Sequence, residues 1–212
     1  MSPGGKGGSV AESNGRRKTR ARRKRRCAAV VTAIVLMLAL TGMGLWLVFL
    51  QRPETTVQVY PMTYEAEIRE GAASNGLDPA LPAAVILAES SYDPHAVSSV
   101  NAQGLMQLLP STAEWIAGKL GETYAEGSLF DPETNIRYGC WYLGFLMQRY
   151  GGDMRLASSA YHAGQGTVDK WLQNPEYAPD GAHLAVIPYD TTDTYVQRVL
   201  KYYEKYTELY AA

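Results

Sequence analysis

Between Cys27 and Leu50 the chain runs for 24 residues without a charged side chain. Blocks such as Ile34-Val35-Leu36-Met37-Leu38 and Leu45-Trp46-Leu47-Val48-Phe49-Leu50 make the run strongly apolar. About 20 apolar helical residues cross the hydrocarbon core of a bilayer, so this run is long enough to span one with some tilt. Directly before it, residues 16–26 hold nine basic side chains in eleven, whereas behind it only Arg52 is close. Positive charge stays on the cytoplasmic side, so the expected protein is single-pass in the cell membrane, with its N-terminus in the cytoplasm. Everything after Leu50 then lies outside. A cleaved signal peptide is the rival reading, but the run is longer than an h-region. No small-x-small site closes it before Gln51-Arg52-Pro53.

The charge balance divides at the same place. Residues 1–50 hold ten Lys or Arg and one acid, while residues 51–212 hold ten Lys or Arg and twenty acids. An acidic outer part argues against nucleic acid as its ligand, since phosphate backbones need clustered positive charge. The basic run alone resembles a nucleic-acid or nuclear-targeting patch, but its position beside the apolar run favours topology and contact with anionic lipid heads. Cys27 and Cys140 are too few for a disulfide framework. The three histidines, His95, His162 and His183, are scattered, so no metal and no cofactor are expected. Four regions follow. Residues 1–26 form a disordered, basic, cytoplasmic arm and residues 27–50 a transmembrane anchor. Residues 51–62 form an extended linker reaching on the order of 35 Å, and residues 63–212 one folded domain.

That last region reads as all-α and is large enough to bury a core. Tyr64 to Glu70 continues towards a stop at Gly76. Asp78-Pro79, an acid followed by proline in the first turn, opens a helix from Ala80 to Ser90. Pro110 starts another, stopping at Gly118 or Gly121. Asp131-Pro132 starts a longer one through Tyr150, Asp153 caps Met154 to Ala163, and Thr192 to Tyr210 is the last. Strand-like alternation is weak.

Glu89 is the candidate for chemistry, because it ends an apolar helix after Val85, Ile86 and Leu87. A carboxylate there loses hydration, which raises its pKa, and the helix dipole disfavours its charge. A carboxyl kept protonated near neutral pH can donate a proton to a leaving oxygen. The bland alternative is a surface Glu at a helix end. Four ordered blocks weigh against that. They are Glu89-Ser90-Ser91-Tyr92-Asp93-Pro94 with Ala96 and Ser98; Ala102 to Ala113, including Gly104-Leu105-Met106-Gln107; Asp131-Pro132 with Asn135-Ile136, Gly139 and Tyr142-Leu143; and Ala160-Tyr161-His162-Ala163-Gly164 followed by Ile187-Pro188-Tyr189 and Tyr195-Val196. Together they cover nearly the whole outer part. In them the chain resembles the soluble lytic transglycosylase family, whose catalytic domain has a goose-type, lysozyme-like fold.

The resemblance implies Glu89 as general acid and base, and Ser98 as the residue that helps position the sugar's acetamido group. It implies Met106 and Gln107 as cleft residues flanking the scissile bond, and Tyr161 as a tyrosine reaching towards the acid. Met106 could equally be plain core, Gln107 a surface amide and Tyr161 an ordinary buried aromatic. The departures fall in the later motifs. His162 stands where the family usually has Asn, so it is the expected substrate contact there but one that can titrate. Gln165 replaces a Pro, and Thr191-Thr192 replaces Glu-Thr, with Asp190 as a possible substitute for the missing acid. Asn101 stands where Gly is common, and Asn is the next-best residue for a left-handed turn.

Ordinary glycosidases use two carboxylates, whereas the matched motifs supply one. A single carboxylate suits a route in which the substrate's own acetamido group is the nucleophile. The resemblance therefore implies non-hydrolytic cleavage of the MurNAc–GlcNAc β-1,4 bond, leaving 1,6-anhydro-MurNAc ends. The expected partners are peptidoglycan glycan strands and, through residues 27–50, the cytoplasmic membrane. Two alternatives stay open, a hydrolysing muramidase on the same fold and a wall-binding module without catalysis.

Overall fold

A computed structural model describes residues 37–47 and 59–210. The chain divides into two compact units, residues 1–56 and 57–212. In the first, residues 37–47 are helical, and Thr41 returns its hydroxyl to the Met37 and Leu38 carbonyls at 3.0 Å. Its apolar side chains, among them Leu40, Leu45 and Trp46, are exposed. Among the described residues no helix is long and apolar enough to cross a membrane. The basic arm 1–26, the rest of the 27–50 run and residues 51–58 of the linker lie outside the described residues.

The second unit begins with a tyrosine strap. Tyr206 and Tyr210 donate to the carbonyls of Pro61 and Tyr60 at 2.6 and 2.8 Å, and the Tyr60 ring meets Tyr202 and Tyr206 edge-on. Residues 60–62, assigned to the tether on sequence, are thus held on the domain. Helix α1 spans Glu65–Ser74, α2 Ala80–Glu89, α3 Pro110–Leu120, α4 Pro132–Arg149, α5 Met154–Ala163, α6 Gln165–Leu172 and α7 Asp190–Tyr210, with a short 3-10 turn at Ser128–Phe130. The described residues contain isolated β-bridges only, Val97 with Gln103 and Gln103 with Leu108.

The boundaries follow local chemistry. Asp78 accepts from the Ala80 amide, Asp131 from Thr134 and Asp153 from Leu156, at 2.9–3.0 Å; each satisfies an orphan donor of a first turn. Helix α3 stops at Gly121, in the left-handed region at φ 74°, so Gly118 lies inside it. Helix α6 had no start signal of its own, because Gly164 directly joins α5 to it.

Helix α2 is the centre of the domain. Seven consecutive residues, Ala80 to Ile86, are buried, as expected of a helix that is apolar all round. It packs chiefly on α7, while α1 lies on α4 and α5 bridges α7 and α4. Cys140 on α4 is a buried free thiol pushed up to about 12 by desolvation. It sits where Gly71 has no side chain, and a Cβ on Gly71 would come within 2.9 Å of its sulfur.

The loop from Asn101 to Leu108 depends on one buried amide. Asn135 accepts from the Met106 amide at 2.7 Å and donates to the Gln103 and Leu129 carbonyls at 2.9 and 2.8 Å. Gly104, at φ 74°, passes so close that a Cβ would overlap the Leu129 carbonyl and the Asn135 amide. Asn101 takes φ 63°, the left-handed turn that its Asn suits.

Two glycine substitutions should therefore diverge in thermal melts of the full chain. Gly104→Ala forces a Cβ into backbone and adds left-handed strain, for an expected loss of about 2–4 kcal/mol. At about 2–4 °C per kcal/mol for a domain of this size, its Tm should drop by roughly 5–15 °C. Gly118, with open space around its would-be Cβ, should gain about 0.5–1 kcal/mol on replacement by Ala. Equal melting of both variants with wild type would show that the loop is not clamped as described.

Candidate active site

Glu89 is the last residue of α2 and is mostly buried. The chain turns away from it through Ser91 and Tyr92, two consecutive non-glycine residues in the left-handed region at φ 52° and 66°. Such conformations cost about 1–3 kcal/mol each and persist only where surroundings over-determine them. Here the surroundings do so. Ser90 donates its hydroxyl to the Leu105 carbonyl at 2.8 Å, Tyr92 is buried, and the Asp93 carboxylate accepts from the His95 amide at 2.9 Å in an Asx turn. Asp93 is therefore an exposed turn residue.

Burial pushes the Glu89 carboxyl up to about 7, against smaller opposing effects of the Tyr195 hydroxyl and the Arg198 charge. Desolvation disfavours the charged form, while a donor or a cation nearby favours it. The Tyr195 hydroxyl is buried and makes no hydrogen bond of ordinary geometry, yet it lies near enough to Glu89 to ease ionisation. The Tyr161 hydroxyl donates to the Met106 carbonyl at 2.8 Å, and burial together with the Glu89 charge holds its pKa well above the ordinary value. Both tyrosines stay protonated beside the acid.

A cleft of about 470 Å³ opens over this carboxyl, lined by Glu89, His162, Asp190, Thr191, Tyr195 and Arg198 among others. His162 bonds through Nδ1 to Thr192 Oγ1 at 3.0 Å and stacks on Tyr195 with centroids 4.6 Å apart. Partial burial and the Arg198 charge hold its pKa down, so the ring is neutral near pH 7. The remaining sequence candidates lie outside this cleft's lining. Ser98 accepts from the Ala102 amide at 3.0 Å, which leaves its own proton free. Gln107, at φ 48°, braces the loop by donating to the Ala96 and Gly104 carbonyls at 3.0 and 2.9 Å. The Met106 side chain is fully buried against Gly139. It is core, and only its backbone carbonyl reaches the acid's surroundings, through Tyr161.

Three residues bearing on Glu89 had no sequence assignment as site residues: Asn135, Tyr195 and Arg198. Asp190, Thr191, Thr194, Tyr195 and Arg198 follow helical spacing along one face of α7, which is the signal that would have grouped them. A larger concavity of about 610 Å³ lies between α1 and α4, but it has no titratable lining residue, so acid–base chemistry points to the smaller one. Among the described residues no three or more His, Cys, Asp or Glu side chains converge as a metal site requires.

The carboxyl's raised pKa has a stability consequence. The folded chain binds this proton more tightly than the unfolded chain, so the associated stability is complete below about 4.5 and declines as pH rises towards about 7. Glu89→Gln removes that dependence. The variant should melt like wild type near pH 4 and above it at pH 8, by at most about 3 kcal/mol. A constant difference across that range would place the carboxyl in water.

Comparison with known proteins adds the final observation. The transglycosylase SLT domain model matches residues 66–183. The soluble lytic murein transglycosylase of Escherichia coli (strain K12) is 34% identical over 146 residues, covering 68% of this chain and 23% of that protein. The membrane-bound lytic murein transglycosylase C of Yersinia pestis (strain Pestoides F) is 38% identical over 138 residues, covering 60% and 38%. An inactive mutant of the lytic transglycosylase Slt from Pseudomonas aeruginosa superimposes with a TM-score of 0.64 at 37% identity, over 70% of this chain and 24% of that one. The chain thus spans about a quarter of the first relative's length. The all-helical domain has the lysozyme-like architecture of those neighbours, and with its acid, loop and aromatic partners the chain belongs to the transglycosylase SLT domain family.

Proposed function

We propose that the domain is a lytic transglycosylase acting on peptidoglycan, with Glu89 as its single acid and base. The observation that carries this reading is a mostly buried carboxyl at about 7 that opens into a cleft and has two protonated tyrosines, Tyr161 and Tyr195, in its surroundings. At neutral pH a large fraction of Glu89 holds its proton and can deliver it to the departing GlcNAc oxygen. The acetamido oxygen of the MurNAc residue attacks its own C1 as that bond breaks, giving an oxazolinium ring. Ionised Glu89 then takes the proton of the C6 hydroxyl, and O6 displaces the acetamido oxygen from C1. A 1,6-anhydro ring closes, no water is consumed, and Glu89 regains its proton. The free Ser98 hydroxyl suits orientation of the acetamido group, Gln107 offers its amide oxygen, and His162 offers a neutral ring to the sugar. Met106 acts through its carbonyl by holding Tyr161. The names of the matched relatives, which call them murein transglycosylases, support the same substrate.

A second reading has one observation in its favour. Asp190 lines the same cleft at the start of α7. As a base for water it would make the enzyme a hydrolysing muramidase. Digestion of purified sacculi separates the two. Under the transglycosylase reading the products carry 1,6-anhydro ends, about 18 mass units lighter than hydrolysis products. Glu89→Gln should then lower turnover by about 10²–10⁴-fold, and Asp190→Asn should leave the product unchanged. Reducing-end muramic acid as the main product, lost in Asp190→Asn, would establish the hydrolase instead.

We also propose that residues 27–50 anchor this domain to the outer face of the cytoplasmic membrane. The charge asymmetry around the apolar run supports this, as does the membrane-bound name of one relative. Protease added to wall-stripped cells should release the catalytic domain and spare residues 1–26. Protection of the catalytic domain would reverse the topology.

A further inference from the structure

The concavity between the end of α1 and the second half of α4, about 610 Å³ in volume, shares no lining residue with the Glu89 cleft. Its size falls within the range of small-molecule sites, roughly 300–1,000 Å³. Trp141 and Phe145 form one wall. They stand one turn apart on α4 with rings nearly parallel, 7° between planes and 5.7 Å between centroids. Trp115, which is not part of the lining, makes edge contacts with both at 5.4 and 5.3 Å. Gly144 lies between them and lets α1 close in, since a Cβ there would meet the Asn75 Cβ at 2.9 Å and the Asn75 carbonyl at 3.1 Å. Asn75 gives one amide hydrogen to the Gly71 carbonyl at 2.8 Å, which fixes that side chain. Ser74 and the exposed Gln148 complete the polar rim.

This lining is selective in its chemistry. None of its side chains carries a charge, so an anionic or cationic ligand finds no counter-charge there. Flat aromatic rings beside hydroxyl and amide groups suit a ligand with an apolar C–H face and an edge of hydroxyl and acetamido groups. A pyranose ring of N-acetylglucosamine has both. We infer that the α1–α4 concavity is an accessory glycan site, which holds an uncharged N-acetylhexosamine unit of a strand on the Trp141–Phe145 wall. The ligand assignment rests on the peptidoglycan reading of the Glu89 cleft. A second hold on the same polymer raises the effective concentration of strand at the cleft without adding any contact to the reacting sugar.

The test uses the full-length chain in detergent micelles and chitotetraose, an uncharged oligomer of N-acetylglucosamine, as probe. In the Glu89→Gln background, calorimetric titration should give two sites per chain. Adding Trp141→Ala should reduce this to one, and Gln148→Ala, on an exposed side chain that does not support the core, should weaken that same site. In the otherwise wild-type chain, Gln148→Ala should lower binding to intact sacculi by about 10-fold and leave turnover of short soluble muropeptides unchanged. Two undiminished sites in both variants would overturn the inference, as would sacculus binding equal to wild type. Failure of the catalytic reading looks different, since the parent chain would then release no muropeptides while loss of the Trp141-dependent site remained measurable.

Discussion

The buried amide of Asn135 is the interaction on which the site hangs. Its three hydrogen bonds reach the Met106 amide and the carbonyls of Gln103 and Leu129, so one side chain of α4 fixes a loop whose own backbone pairing is limited to isolated bridges. A buried polar group left unpaired costs about 1–3 kcal/mol. The loop therefore cannot slip without orphaning several groups together. From the fixed loop the order passes outward. The Met106 carbonyl holds the Tyr161 hydroxyl, the Leu105 carbonyl holds Ser90 next to the acid, and Gln107 braces Ala96 beside the turn that carries Ser98.

The acid sits at the meeting of opposed effects. Its helix ends inside the protein, and both desolvation and the helix C-terminus work against charge on Glu89. Tyr195 and Arg198, both from α7, work the other way. The balance near 7 is what a group needs if it must give a proton and then take one back. Because α7 supplies the opposing groups and also packs along α2, the pKa of Glu89 is a property of helix–helix packing. Local sequence around the carboxyl accounts only for its burial.

Two of the departures from the family pattern, His162 and Thr191, line this cleft, whereas Gln165 and Asn101 do not. His162 pairs with Thr192, the threonine retained from the family's Glu-Thr, and stacks on Tyr195. Thr191 stands where the resemblance implies a carboxylate, and Asp190, one residue earlier, lines the cleft beside it. An acid moved by one position on a helix turns through about 100° and need not face the same atom. These departures alter the lining of the cleft and leave the Glu89 carboxyl in place.

Much was legible in the residues themselves. Capping acids at Asp78, Asp131 and Asp153 announced three helix starts because capping is local chemistry, and the all-apolar stretch before Glu89 announced a buried helix ending in a carboxyl. Ordered motifs identified the family. What those signals could not carry was contact between distant segments. They did not separate α6, whose start is a backbone junction at Gly164, and they left open whether Met106 lines a cleft or fills the core. They gave Asn135, Tyr195 and Arg198 no part in the site, because each acts across 29 to more than 100 residues of chain. By itself, then, the sequence determined most of the helices, which carboxyl is buried and where charge changes sign along the chain. Tertiary packing decided which side chains reach that carboxyl and how far its proton affinity is raised, since desolvation and through-space charge depend on neighbours that only the folded chain brings together.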